Sequence, residues 1–151
     1  MSTLLVQSCS KSKNQRHSPG SAFDIYDGYY YRIIKKARGD GAFAEDIDLC
    51  ILSAKYGLLD PTDEISVYDR RMDKERAAEL CPDVSAGLRN RVTDAGYDRV
   101  VVNTGTPYRA AIDTESIPVP VYDVPGDGLG KKGHYLKRFV RGESAVVTGD
   151  S

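Results

Sequence analysis

Four short apolar runs, separated by stretches with helical spacing, constrain this chain more than any other feature. The runs are residues 3–7, 48–53, 99–103 and 119–124. Each is too short for a buried helix and is largely apolar without alternation, the pattern of a strand covered on both faces. Proline within and beside the fourth run places it at a sheet edge. After the first run, Ala22, Tyr26, Tyr29, Tyr30, Ile33, Ile34 and Ala37 form a helical stripe. Ser21 with Asp24 three residues on resembles a capping box, and Gly39 supplies the stop. After the second run, Pro61 to Glu64 form a turn. A stripe of Ala77, Leu80, Val84, Leu88, Val92 and Ala95 then ends at Gly96, and Pro82 predicts its division into two helices. Residues 107–112 form one short helix and 130–141 a last one, with a final strand at 144–148.

Strands alternating with helices predict an α/β fold of three layers. It is one domain over residues 1–151, with a mostly parallel sheet of four to five strands and helices on both faces. A charged fraction of 28% beside 40% apolar residues argues against a disordered chain. No apolar run approaches the roughly 20 residues a membrane helix needs. Residues 1–6 lack the basic segment and long apolar stretch of a secretory leader. Cys9, Cys50 and Cys81 include no CxxC pair, which excludes a disulfide framework or a four-cysteine zinc site. A cytoplasmic location with no membrane partner is therefore expected. With only His17 and His134, a His-rich metal site is not expected, and nothing in the sequence requires a metal or an organic cofactor.

The net charge of −1 hides an uneven distribution. Residues 1–38 hold seven Lys/Arg against two Asp, whereas residues 39–69 hold one Lys against eight acids. A domain that coats long duplex DNA is usually more basic overall. A local basic patch for one phosphate, or for a short nucleic-acid segment, fits this pattern better.

Parallel sheets place ligands at the carboxyl ends of their strands, and the unusual residues of this chain follow its strands. Ser8, Cys9, Ser10, Lys11, Ser12 and Lys13 follow the first. A thiol near ammonium groups suits a nucleophile, although a free cysteine is as readily a small buried hydrophobe. The serines, lysines and backbone N–H groups there can cradle an anion, without the glycines of a Walker loop. Lys55 and Tyr56 follow the second strand, with Asp60, Tyr68 and Asp69 beyond. Lys55 suits phosphate, the tyrosines suit base stacking, and the aspartates suit a general base or acceptors for base N–H groups. The alternative is that Asp60-Pro61 is only a turn and the tyrosines are core. Thr104, Gly105, Tyr108 and Arg109 follow the third strand, where Arg109 can grip phosphate or lie on the surface. Gly128 and Gly130, with Gly126 and Gly133, follow the fourth and resemble GxGxxG only superficially; they let backbone approach a flat ligand. Asp127 and His134 lie nearby, His134 as an acid–base group or a surface residue.

The string Ser8-Cys9-Ser10-Lys11-Ser12-Lys13, the block from Ile51 to Pro61 with Tyr68-Asp69, and Tyr108-Arg109 together resemble a family of small bacterial, archaeal and viral proteins. In that family the first strand ends in SCSKSK, the second in SAK-[YH]-GL, and a late glycine loop closes the domain. The family looks distantly similar to YaaA-type proteins and to the domain of archaeosine synthase that modifies a 7-deazaguanine base in tRNA. Cys9-x3-Lys13 matches the Cys-x3-Lys spacing of the latter's PC-x3-KPY motif. Ser8 stands where that motif has Pro, and Asn14-Gln15 where it has Pro-Tyr. The resemblance implies a uracil-DNA-glycosylase-like α/β fold and a nucleobase, nucleotide or nucleic-acid ligand.

Two functions from different classes are expected on this basis. One is an enzyme directed at a nucleobase, cleaving an N-glycosidic bond or modifying a base on a nucleotide, DNA or tRNA. In it Cys9, or a water activated by Asp60 or Asp69, attacks while Lys13, Lys55 and Arg109 hold phosphate. The other is a non-catalytic nucleotide or nucleic-acid binding module using the same contacts. A scaffold whose polar edge binds another protein is a third class.

Overall fold

Side chains alternate across the first strand, and both of its faces find a hydrophobic partner. The computed structural model describes residues 2–143 and Val147. Strand β1 (Thr3–Ser8) is buried along its whole length. It lies between β3 (Ile47–Ser53) and β6 (Arg99–Asn103), parallel to both. A fourth parallel strand, β7 (Val121–Asp123), joins β6 at one edge, and β4 (Gly57–Leu59) runs antiparallel to β3 at the other. The order β4-β3-β1-β6-β7 is the mostly parallel α/β sheet expected from the alternation. Pro120 costs the edge nothing, because it offers only its carbonyl, which accepts from the Val100 amide at 3.0 Å.

Leu4 and Val6 point to one face and Leu5 to the other. The first face packs with Val100 and Val102 under α3 (Lys74–Ala95), through Val84, Leu88 and Val92. The second packs with Leu49 and Val101 under α2 (Tyr29–Gly39) and α5 (Leu129–Val140), through Ile34, Leu136 and Phe139. These are the three layers. Among the described residues, no helix is long and apolar enough to cross a membrane.

Pro82 does not divide α3, which runs unbroken through it. Pro82 is exposed, so the carbonyl it leaves unbonded faces water, whereas the stripe from Ala77 to Val92 is buried. A helix-interior proline costs about 3 kcal/mol. The buried side chains of Val84, Leu88 and Val92, at about 1.5–3 kcal/mol each, outweigh that. The reverse happens in the first helical stripe, which splits into α1 (Ala22–Ile25) and α2. Ser21 Oγ caps α1 by accepting from the Asp24 amide at 3.3 Å. Tyr26 then turns extended and forms a backbone bridge with Lys13. Gly28 lies so close to the Cys9 loop that a Cβ there would fall 2.6 Å from Ser10 Cβ. The break therefore exists to seat that loop. Two short strands absent from the sequence expectation, β2 (Gly20–Ser21) and β5 (Glu64–Ile65), pair antiparallel over a third cluster containing Ile25, Tyr26 and Tyr31. The short helix after β6 is α4 (Thr106–Arg109). The strand expected at 144–148 lies, but for Val147, outside the described residues.

Candidate functional site

Because β1, β3, β6 and β7 are parallel, Ser8, Ser53, Asn103 and Asp123 all end at one margin of the sheet. Three adjoining clefts open there. The first, about 260 Å³, is lined by Cys9, Lys11, Lys13, Asp69, Arg70 and Tyr108, among others. The second, about 340 Å³, shares Cys9, Ser10 and Lys11 with the first and adds Ser8, Tyr31 and Leu129. The third, about 750 Å³, shares Tyr30 and Leu129 with the second and holds Thr104, Gly105, Arg109 and Gly128. The margin is thus one continuous trough.

Cys9 is fixed from both sides. Its amide donates to the Leu52 carbonyl at 2.8 Å, extending the β1–β3 ladder by one bond. Its Sγ lies 3.1 Å from Tyr108 Oη. Ser10 Oγ accepts from the Gly28 amide at 3.2 Å, and Ser12 Oγ donates to Asp27 at 2.5 Å, tying the loop to the start of α2. The Lys13 ammonium sits 4.5 Å from the Tyr68 ring centre, and Lys55 lies 5.1 Å from that of Tyr56. Tyr56 meets Tyr68 edge to face at 5.4 Å. Two ammonium groups and two aromatic rings therefore stand together, Lys13 at the Cys9 cleft, whereas Lys55, Tyr56 and Tyr68 line none of the three clefts.

Behind them runs a chain of hydroxyls whose proton order can be deduced. Ser53 Oγ accepts from the amides of Lys55 and Tyr56 at 3.2 and 3.1 Å, so its own proton donates to Tyr68 Oη at 2.8 Å. Tyr68 Oη lies 2.6 Å from Tyr26 Oη. Burial pushes the phenols of Tyr26, Tyr68 and Tyr108 above their ordinary range, and the neighbouring Cys9 adds to the rise. At neutral pH all three are protonated and able to donate. Burial pushes the Cys50 thiol up to about 12, so it is inert, as a cysteine inside a strand should be.

The third cleft is bounded by Thr104, Arg109 and the first turn of α5. Arg109 Nε donates to Asp123 Oδ1 at 2.9 Å and its NH2 to Oδ2 at 3.5 Å. Lys132 also faces this cleft. Gly128, at φ +88°, provides the sharp entry to α5 that a side chain would strain.

Not every expected residue reaches the trough. Asp60 does not: it accepts from Arg91 at 3.1 Å, in a separate cleft with Leu4, Cys50 and Tyr97. Strand β4 reverses direction at Gly57, φ +77°, so the residue after it is carried back toward the amino ends of the parallel strands. Asp69 stays at the first cleft and is exposed. Gly130 is exposed in the first turn of α5, between Leu129 and Lys132, which line the third cleft, but it does not line the cleft itself. Asp127 is exposed, and His134 is exposed with its ring against Tyr135 at 5.3 Å. Among the described residues, no group of three His, Cys, Asp or Glu is placed to hold a metal ion.

A family model for a family of unknown function, DUF6884, matches residues 4–138. The chain belongs to DUF6884. No curated protein matches it. The match runs from the second residue of β1 into α5, so the whole trough belongs to the DUF6884 domain and none of it to an addition.

Sequence reasoning passed over several walls of this trough in the DUF6884 domain. Tyr29 and Tyr30 read as part of a core stripe, Tyr31 fell outside it, and Gln7 and Asn103 read as strand ends. Gln7 is the one signal available beforehand: an amide closing a buried apolar strand needs a partner. It finds one in Asn103, whose Nδ2 donates to Gln7 Oε1 at 2.8 Å.

Proposed function

We propose that this DUF6884 domain acts on the nucleobase of a nucleotide or nucleic acid, with Cys9 as nucleophile. The observation that carries the reading is the 3.1 Å contact between Cys9 Sγ and Tyr108 Oη in a cleft lined by Lys11, Lys13, Arg70 and Arg71. Chemistry on a base in a phosphorylated ligand needs a nucleophile, a proton donor for the displaced group and cations for phosphate. All three stand within that cleft. Tyr56 and Tyr68 add ring faces for a base.

In N-glycosidic cleavage, sulfur forms a bond to C1′ as the C1′–N bond breaks, and Tyr108 gives its proton to the departing nitrogen. Water then displaces the sulfur, so the net change is hydrolysis. In base modification, sulfur adds to an electrophilic ring carbon as the adjacent ring double bond opens and its nitrogen takes the Tyr108 proton; expulsion of the sulfur with return of that proton to Tyr108 restores the ring. A base inside a duplex must first be flipped out. The Cys9-x3-Lys13 spacing, similar to that of the archaeosine synthase domain, supports base-directed chemistry; the likeness to YaaA-type proteins and to a uracil-DNA-glycosylase-like fold is part of the same proposal.

A specific observation favours a second reading, a non-catalytic nucleotide-binding module. Cys9 also packs against the apolar cluster of Ala22, Ile25 and Tyr26, as an inert cysteine would. The two readings separate on Cys9→Ser. Incubation with nucleotides and short oligonucleotides, followed by mass spectrometry, is expected to give free or altered base with the wild type. The variant should give none while still binding the same ligand. Binding without conversion by either form supports the module; no binding at all overturns both.

A further inference from the structure

The third cleft carries two buried polar atoms whose partners are missing. Asn103 is fully buried, yet its Oδ1 has no hydrogen-bond partner, and neither does Oγ1 of Thr104, 8% exposed. The orientation of Asn103 follows from its neighbours. The Ser8 carbonyl can only accept, and Gln7 Nε2 faces it at 3.4 Å. Gln7 therefore turns its oxygen to Asn103 Nδ2, which leaves the Asn103 oxygen without a donor at the wall of the cleft that Asn103 lines. A buried acceptor held in this way calls for a donor from outside the chain.

At the other side of the same cleft begins α5, twelve residues long. Its N-cap, Gly128, makes no side-chain cap, and its first turn has no acid. Its first amides are thus free for an anion, with the helix dipole behind them. Lys132 and Arg109 flank them, and the Arg109 partner Asp123 offsets one of the two positive charges. The remaining charge suits a single phosphate better than a triphosphate. Tyr30 supplies an aromatic wall.

We propose that this cleft is a subsite for a nucleoside monophosphate unit. The base edge meets Asn103 Oδ1 and the Thr104 hydroxyl, and the phosphate meets the α5 N-terminus with Lys132 and Arg109. The inference rests on the nucleobase reading above and names the ligand unit and its second anchor. The Watson–Crick edge of every base sets an N–H donor beside an acceptor, which the Asn103 oxygen and the Thr104 hydroxyl match in turn. Asp123, anchored by Arg109, accepts from a ribose hydroxyl. A volume of about 750 Å³ is within the range of small-molecule sites. The unit can be a free mononucleotide or the 5′-phosphorylated end of an oligonucleotide, which share this chemistry.

Calorimetric titration of the full chain tests the proposal, with AMP, GMP, CMP, UMP, the matching nucleosides, inorganic phosphate and a short oligonucleotide with and without its 5′-phosphate. At least one monophosphate should bind tenfold or more tightly than its nucleoside, by the order of one charge-assisted anchor. Gly130→Glu puts a carboxylate in the first turn of α5, where a Cβ meets nothing within 4 Å. It should weaken the monophosphate about tenfold while the melting temperature holds or rises, because an acid there favours the helix. Thr104→Val should weaken the nucleotide but not inorganic phosphate. Preference for the 5′-phosphorylated oligonucleotide with the same response to Gly130→Glu identifies the polymer end as the source. Nucleotide binding unmoved by either variant overturns the subsite and leaves the Cys9 reading standing. Binding of inorganic phosphate alone also overturns it, and no binding of any nucleotide, nucleoside or oligonucleotide overturns both.

Discussion

The two margins of the sheet handle polar groups in opposite ways. At the amino margin they are paired within the chain. The Ser2 amide donates to Asp98 at 2.8 Å, Tyr97 Oη to Asp48 at 2.6 Å, and Arg99 Nε to Thr3 Oγ1 at 2.9 Å. Arg141 keeps one unpartnered nitrogen there, on a guanidinium already bonded to Asp40 at 2.8 Å. At the carboxyl margin Asn103 and Thr104 stay incomplete beside open clefts. Each buried group left unbonded costs about 1–3 kcal/mol. The fold closes most such gaps at one margin and keeps two beside open clefts at the other, and the proposed nucleotide site rests on that contrast.

The contrast can be broken in four places. Cys9→Ser is expected to have the largest effect, lowering turnover about a thousandfold or more, as loss of a nucleophile does, with the unfolding midpoint in urea little changed. Turnover equal to wild type would remove the thiol from the chemistry. At the opposite margin, Arg99→Ala should cost about 3 kcal/mol in urea unfolding, since a buried charged donor and its packing over Phe139 are lost together. Nucleotide affinity should not move.

Tyr97→Phe should cost about 1 kcal/mol near neutral pH, and it carries a pH signature. Burial, and then the hydrogen bond to Asp48, push the Tyr97 phenol above its ordinary 10.0. The unfolded chain therefore loses that proton near pH 10 while the folded chain keeps it. The stabilisation is full below pH 10 and falls as pH rises above it. The phenylalanine variant should show a shallower alkaline decline in urea midpoint; an identical slope would rule Tyr97 out as a contributor. Thr104→Val is the smallest and has the opposite sign. Replacing an unpartnered hydroxyl with a methyl should leave stability unchanged or raise it by up to about 1 kcal/mol, whereas a loss of several would mean that hydroxyl is bonded in the folded chain.

The sheet was legible because parallel strands are apolar end to end, and Arg99–Asn103 matches its run without an offset. The two-residue strands β2 and β5 were not, since two residues carry no period. Their pairing depends on contacts distant in the chain. Pro82 misled because a local rule was outweighed by a buried stripe. Asp60 misled for another reason: strand ends locate a site only when strand direction is known, and three residues of β4 do not announce that they run backwards. Of the site, the polar strand-end loops were readable from composition. Asn103 was not, because a residue at the end of an apolar run looks like core until the pocket beside it is visible; Gln7 signalled only that a buried amide needs a partner.

The outer strands bear on self-association. β4 and β7 are three residues each, and proline precedes β7 at positions 118 and 120. A foreign peptide laid along either border finds few exposed amides and carbonyls to grasp, which is how native sheets avoid growing sideways. Any larger assembly of this chain must therefore form through its helical flanks or loops rather than by lengthening the sheet.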